Sequence, residues 1–416
     1  MSRFWTVAIV ALFVAQAALA VDYTYTGGAT GTDMWNSPAT WGGVGFPNSY
    51  SDTAYFSGAV AQTIRTEVNG ANPFLVGNMT LGNGLGRTTA VIVGGYIGSP
   101  GLEIGTGSTI TKKDGTTDKL ACKVTLDGPT TFTPMAGSLY TYGMSGAGGV
   151  IKDGNGYLTF EGDSSCANTY FGLTYLKTGR LYLSGTDGTQ FIPAGGLKIG
   201  PGGRLQYSTP GSGNHIADTC PVELAGGDLV PNGNAETVGV ATLTANCTLY
   251  GTPTDSGFHF ANSTAATWTP GMSITLQTYN SSALPKYYFG TNNTGLTAGQ
   301  LAQIKFVDGL TGISTPAMYD PANTGLLVPY VASSHTYWSA DFNHDFVVNF
   351  KDYIILEGNF GKTNATNAMG DADADGLVTF KHYIDFEGQY NKNSTAEPAT
   401  IGLLVAGGLA LLRRKA

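Results

Sequence analysis

The chain has 416 residues, a formal charge of −8, 60 glycines, 12% charged residues and 11% aromatics. Glycine stands at about twice its usual share and charge at about half, a mixture that excludes a coiled coil, while the aromatics exclude a disordered tail. An acidic balance without a basic stripe excludes a nucleic-acid partner. What remains is an all-β composition of short strands and tight turns.

The first predicted element is a leader over residues 1–20. Arg3 gives a positive start, Phe4 to Leu19 is nearly continuous apolar sequence, and Ala18-Leu19-Ala20 forms a small-x-small cleavage site before Val21. The run is slightly short for a membrane span, so export with cleavage is expected rather than anchoring.

Residues 21–335 follow as short alternating runs broken by glycine, as in Gly196 to Tyr207 (GLKIGPGGRLQY). Strands of four to six residues with sharp glycine corners predict a mainly β fold. A Gly-rich parallel β-solenoid or β-helix body fits better than a large sandwich, because each apolar pair would fill one rung of a stacked core. Helical periodicity is nearly absent here. The segments 149–162 (GVIKDGNGYLTFEG), 168–174 (NTYFGLT) and 177–183 (KTGRLYL) resemble the autotransporter-associated β-strand repeat. Trp35 to Trp41, followed by Asp52 to Phe56, resembles the opening rung of such exported proteins. The resemblance implies a surface scaffold or adhesin.

Catalytic signals in this region are dispersed. Glu103, Asp127, Asp153, Glu161, Asp163, Asp187, Glu223 and Asp228 are scattered, often beside glycine, and read as solvated turn residues. His215, His259 and His335 lie far apart, and no serine nucleophile elbow occurs. Trp268, Tyr279, Tyr287 and Tyr288 could stack on sugar rings, but core or sheet-face packing is the expectation. No catalytic residue is assigned, and the chain is not read as an enzyme. Cys122, Cys166, Cys220 and Cys247 would oxidise in an exported protein, so disulfides are expected, with all three pairings open.

Residues 337–392 carry the densest chemistry. Asp341 to Asp352 sets oxygen side chains at positions 1, 3, 5, 9 and 12 of a twelve-residue loop, namely Asp341, Asn343, Asp345, Asn349 and Asp352. Thirty residues on, Asp371, Asp373, Asp375 and Thr379 repeat the spacing, and the flanks Asp352 to Phe360 and His382 to Tyr390 repeat as well. Ca²⁺ takes six to eight hard oxygens, and position 7 supplies a backbone carbonyl, here Val347 and Leu377. Between Asp341 and Glu387 stand nine acids and three lysines, a net charge of −6, so metal binding and folding of the segment should be coupled.

This pair of loops resembles a type I dockerin, a small α-helical module of duplicated calcium loop-helix units. The resemblance implies Ca²⁺ as cofactor and a cohesin-like or other surface partner, met through Phe350-Lys351 and Phe380-Lys381. Two positions depart from the pattern. The first loop has Phe346 where glycine normally turns the chain, at a cost of roughly 1–2 kcal/mol. The second has His382 in place of the bidentate carboxylate, a nitrogen poorly matched to Ca²⁺. Loss of a charge and two oxygens should outweigh a strained turn, so the first loop is expected to bind Ca²⁺ more tightly.

The tail, residues 396–416, places Glu397-Pro398 before the mostly apolar Ala399 to Leu412 and then Arg413-Arg414-Lys415. Fourteen helical residues reach about 21 Å, short of a roughly 30 Å hydrocarbon core. This arrangement resembles the PEP-CTERM sorting signal, with Ala396 in place of its leading proline. It implies transient membrane insertion and recognition by an exosortase-type protease. Together these elements predict an exported structural or adhesive protein of the cell surface or extracellular matrix. The alternative is a protein that binds extracellular polysaccharide, or a β-helix polysaccharide lyase or hydrolase.

Overall fold

The computed structural model describes residues 20–390 apart from 27–32, 58–61, 67–72, 86–90, 95–100, 209–212, 252–256, 279–285, 309–311, 323, 331–338, 344–346 and 374. The leader up to Leu19 and the tail 396–416 therefore lie outside the described residues, as do His335 and Tyr279. Contacts divide the chain into two compact units, Met1–Pro329 and Tyr330–Ala416.

In the first unit, successive short strands pass back and forth between two parallel sheets, and the chain winds a β-solenoid of about 8 turns. The predicted mainly β, glycine-rich solenoid is the observed fold. Each strand lies in register on the one a turn earlier, so like side chains stack. Leu139, Leu158, Leu181, Leu205, Leu229, Leu249, Leu276 and Phe306 form one continuous ladder. All eight are buried, and burying each such side chain contributes roughly 1.5–3 kcal/mol. Alternate residues face outward, where Arg204 pairs with Asp228 at 2.6 Å and Lys198 with Glu223 at 2.8 Å. That alternation explains why the strands read with period two although parallel sheets are usually covered on both faces.

Glycine makes the corners. Gly179 has φ +71°, and a Cβ there would lie 2.2 Å from the Gly154 carbonyl oxygen of the preceding rung. Only a residue without Cβ admits both the left-handed turn and the close stacking.

Both ends of the solenoid are finished differently from its middle. In the first rungs Trp35 and Trp41 are buried with ring centres 5.0 Å apart, and Phe56 and Phe74 pack against them. Their indole N–H groups donate to Pro47 O (2.8 Å) and Trp35 O (2.7 Å), so the large rings are buried without orphaned donors. At the other end the parallel ladder gives way to antiparallel pairing of Ile304–Val307, Ser314–Tyr319 and Leu327–Pro329. A short last strand ending in proline offers little edge for further pairing. Just before Ile304–Val307, the single-turn helix α1 (Ala298–Leu301) starts with a reciprocal Thr297–Gln300 capping box.

Buried charged side chains interrupt the apolar pattern: Lys112 and Asp118 pair at 3.6 Å in the early rungs, and Lys152 stands alone among apolar neighbours in its ladder. On the other sheet Ile110, Phe132, Lys152, Leu176, Ile199, Leu224 and Leu243 stand in register, and Lys152 is wholly buried among them. Its ammonium donates to the carbonyls of Asp153 (3.0 Å), Gly154 (2.6 Å) and Thr178 (3.0 Å). Burial pushes its pKa down to about 8, against a smaller upward pull from Asp153.

The expected disulfides are corrected by the structure: Cys122, Cys166, Cys220 and Cys247 are all free, buried thiols. Each fills a core position as a small apolar side chain. Desolvation pushes Cys122 and Cys247 up to about 12 and Cys220 up to about 11.

The second unit contains two ten-residue helices, α2 (Phe350–Asn359) and α3 (Phe380–Gln389), each entered through an acidic loop. Ala340, Phe342, Val348, Leu356, Val378 and Phe386 form its core. Val348 and Val378 hold the same position in the two loops, so the sequence repeat is also a repeat of core contacts. Tyr353 of α2 meets Tyr383 and Phe386 of α3 at 6.3 and 5.9 Å between ring centres. Among the described residues no helix is long and apolar enough to cross a membrane.

Candidate metal centre

The two loops converge on their helix starts. In the first, Asp341 and Asp352 are wholly buried. Asp352 Oδ1 accepts the N–H of Asn343 (3.0 Å), and its Oδ2 accepts the N–H of Asn349 (2.9 Å), the residue that caps α2. Asn349 in turn accepts from the Lys351 N–H (2.8 Å) and donates its amide to the Val347 carbonyl (3.0 Å). Asn343, Val347, Asn349 and Asp352 are thus tied together by hydrogen bonds, and Asp341 is buried at the start of the same loop; Asp345 lies outside the described residues.

In the second loop Asp371 is buried and accepts two backbone amides, from Asp375 (3.2 Å) and Gly376 (2.8 Å). Gly376 has φ +82°, the left-handed turn that lets the chain fold back over Asp371. Asp375 accepts the Leu377 N–H at 2.9 Å. Leu377 itself is 40% exposed, so only its backbone belongs to the loop, while Thr379 stands at the N-cap of α3.

Asp371, Asp373, Asp375 and His382 each present a ligand-type atom within 4.8 Å of the others, a spacing that could hold a metal ion. From sequence, His382 counts as a misfit at position 12; in the fold it is fully buried and inside the group. Its Nδ1 accepts the Thr379 N–H at 3.0 Å, and its Nε2 lies 3.0 Å from Asp373 Oδ1 and 3.7 Å from Asp371 Oδ1. Lys381 pairs with the other oxygen of Asp373. Hydrogen bonds from Lys381 and then His382 hold the Asp373 carboxyl well below the usual range.

On the outside of this unit the duplication shows as paired apolar residues. Phe350 and Phe380 are 62% and 63% exposed, and Ile354 and Ile384, one turn on, are 51% and 57% exposed.

The solenoid carries no comparable convergence of His, Cys, Asp or Glu among the described residues. Several of its scattered acids are tied to neighbouring rungs, as Asp153 is to Lys177 at 2.9 Å and Glu223 to Lys198 at 2.8 Å, while Asp163 caps its own turn at Ser165. Trp268 and Tyr287 are buried with their polar tips satisfied by the Ala241 and Tyr250 carbonyls. An open groove of about 510 Å³ is lined by Asp218, Thr237, His259, Asn262, Asn292 and Thr294, among others. Beside it His259 stacks on Tyr288 at 4.0 Å and 8°.

One buried polar cluster has no counterpart in the sequence reading. Glu236 accepts the Tyr207 hydroxyl and the backbone amides of His215 (2.9 Å) and Ile216 (3.3 Å). Burial raises its pKa to about 7. No local signal marks it, because its partners lie 20 to 29 residues away.

No protein-family profile, curated protein or solved structure matches this chain.

Proposed function

We propose that the chain is an exported structural or adhesive protein of the cell surface or extracellular matrix, with the solenoid as its body and the C-terminal loop-helix pair as a Ca²⁺-organised docking module. The observation that carries this reading is the burial of two carboxylates, Asp341 and Asp352, in one twelve-residue loop. Two like charges out of water destabilise the fold unless a cation offsets them. The donors in that loop are all oxygen, which is the chemistry of Ca²⁺. Asp341, Asn343, Asp345, the Val347 carbonyl, Asn349 and Asp352 would hold it. The ion would supply the charge that fixes both loop ends and so the start of α2.

The leader and sorting tail give the route: export, then recognition by an exosortase-type protease. The paired Phe350–Ile354 and Phe380–Ile384 surfaces offer a duplicated apolar face to a cohesin-like partner. Limited proteolysis of the full chain with Ca²⁺ and with a chelator tests the proposal. Cleavage within 337–392 should appear only with chelator; equal protection in both would overturn it.

A second reading rests on the groove lined by His259, where polar Asp218, Thr237, Asn262 and Asn292 stand among apolar Val238, Phe260 and Ala261 and the His259 ring stacks on Tyr288, a mixed lining that suits an extracellular polysaccharide. Binding on a glycan array, lost in a Tyr288→Ala variant, would favour it.

A further inference from the structure

We infer that the second loop is not a calcium site, and that His382 and Lys381 close it with their own hydrogen bonds where the first loop uses Asp352 and an ion. The contrast rests on the Ca²⁺ reading of the first loop; the argument for the second stands on its own geometry.

His382 and Asp352 occupy the same position, and each accepts the amide of its helix's N-cap residue: Asn349 N–H to Asp352 Oδ2 at 2.9 Å, and Thr379 N–H to His382 Nδ1 at 3.0 Å. For a carboxylate this bond leaves lone pairs on both oxygens for a cation. For an imidazole it uses the lone pair of Nδ1, and a neutral ring has a single proton, which must then sit on Nε2. Nε2 is the atom that faces the acids, 3.0 Å from Asp373 Oδ1 and 3.7 Å from Asp371 Oδ1. The ring therefore presents an N–H to the centre of the loop and donates to Asp373. To ligate a metal through Nε2, His382 would have to surrender its cap on α3 or become an imidazolate.

The remaining oxygen of Asp373 is taken by Lys381. Lysine stands at the equivalent place in both loops, as Lys351 and Lys381, but the acid that Lys381 and His382 bond is Asp373, where the first loop has Asn343, so the closure uses both His382 and Asp373. A Ca²⁺ loop is tuned by the number of charged ligands it contributes. Both loops carry three acids, because Asp373 stands where the first loop has Asn343, so the charge count does not separate them; what separates them is that the positive end of an N–H dipole points where the cation would sit. Borderline metals such as Zn²⁺ favour imidazole, but they too need a lone pair. The 4.8 Å spacing admits an ion; the ring's tautomer turns it away.

Native mass spectrometry and calorimetry of the full chain, titrated separately with Ca²⁺ and Zn²⁺, test this. One Ca²⁺ per chain is expected, rising to two in His382→Asp, which restores the position-12 carboxylate. No Ca²⁺ in the native chain but one in His382→Asp would remove the first-loop reading and still support this one. Two Ca²⁺ in the native chain would overturn the inference, as would no gain in His382→Asp that circular dichroism shows to be folded. A Zn²⁺ that His382→Ala abolishes would also overturn it. Independently of any variant, long-range ¹H–¹⁵N correlation on the native chain should show His382 protonated on Nε2 and unprotonated on Nδ1, unchanged by either metal. The opposite tautomer would overturn the inference.

Discussion

The backbone N–H of His215 donates to Glu236 Oε2 at 2.9 Å, joining two rungs of the solenoid at a point where both side chains are sealed from solvent. Tyr207 donates to the same oxygen, and its ring stacks on His215 at 5.5 Å and 17°. Glu236 therefore sits where its rung meets the preceding one, with its carboxyl in a desolvated place.

Its pKa of about 7, raised by that burial, sets a pH dependence. Between pH 4.5 and 7 the folded chain keeps a proton that the unfolded chain has released. Its contribution to stability is complete below pH 4.5 and is lost as pH rises through 7, by up to about 3 kcal/mol. His215, lowered by burial, works in the opposite sense over part of this window, and Tyr207 and Cys220 lie close by. The difference between native chain and Glu236→Gln isolates the term. Chemical denaturation from pH 4.5 to 7.5 should show the slope only with Glu236; parallel curves would refute it.

Lys152 has the reverse sign. Its pKa is lowered to about 8, so between pH 8 and 10.5 the unfolded chain binds more protons and stability rises with pH. The gain is at most about 3 kcal/mol. The thiols of Cys122, Cys220 and Cys247, held neutral by burial, pull the other way from about pH 9 and buried tyrosines from about pH 10, so the term is read between pH 8 and 9.5 as the difference between native chain and variant. Lys152→Met should lose the rise relative to the native chain, measured as urea midpoints.

For the acidic module, Asp352→Ala should abolish Ca²⁺-dependent protection from proteolysis, because it removes a position-12 carboxylate and the acceptor of two amides. Asp375→Ala should leave the Ca²⁺ midpoint within about twofold of the native value. A larger loss from Asp375→Ala would reverse the ranking of the two loops.

The thiols give a direct count. Cys122, Cys166, Cys220 and Cys247 are buried and free, so a thiol reagent should find none in the native chain and four after unfolding without reductant. Two or none after unfolding would mean that disulfides form. Reductant should leave the melting temperature unchanged.

Much of this molecule is written locally. Glycine corners and period-two runs determined the solenoid, because a rung needs only a few neighbouring residues to turn and to face its core. The two acidic loops were legible for the same reason: their donors lie within twelve residues, and so does the cap of each following helix.

What spans rungs was decided only by the tertiary structure. Lys152 becomes a core residue because register sets it between Phe132 and Leu176, residues 20 and 24 positions away. The cysteines remain thiols because stacking places each in the apolar interior of the solenoid, a placement that no spacing along the chain reveals. His382 shows the division within one residue. Its place at position 12 is a fact of sequence, but which nitrogen faces the acids follows from the helix cap and the packing that buries the ring. Spacing along the chain specifies which atoms can meet; only packing specifies which lone pairs remain when they do.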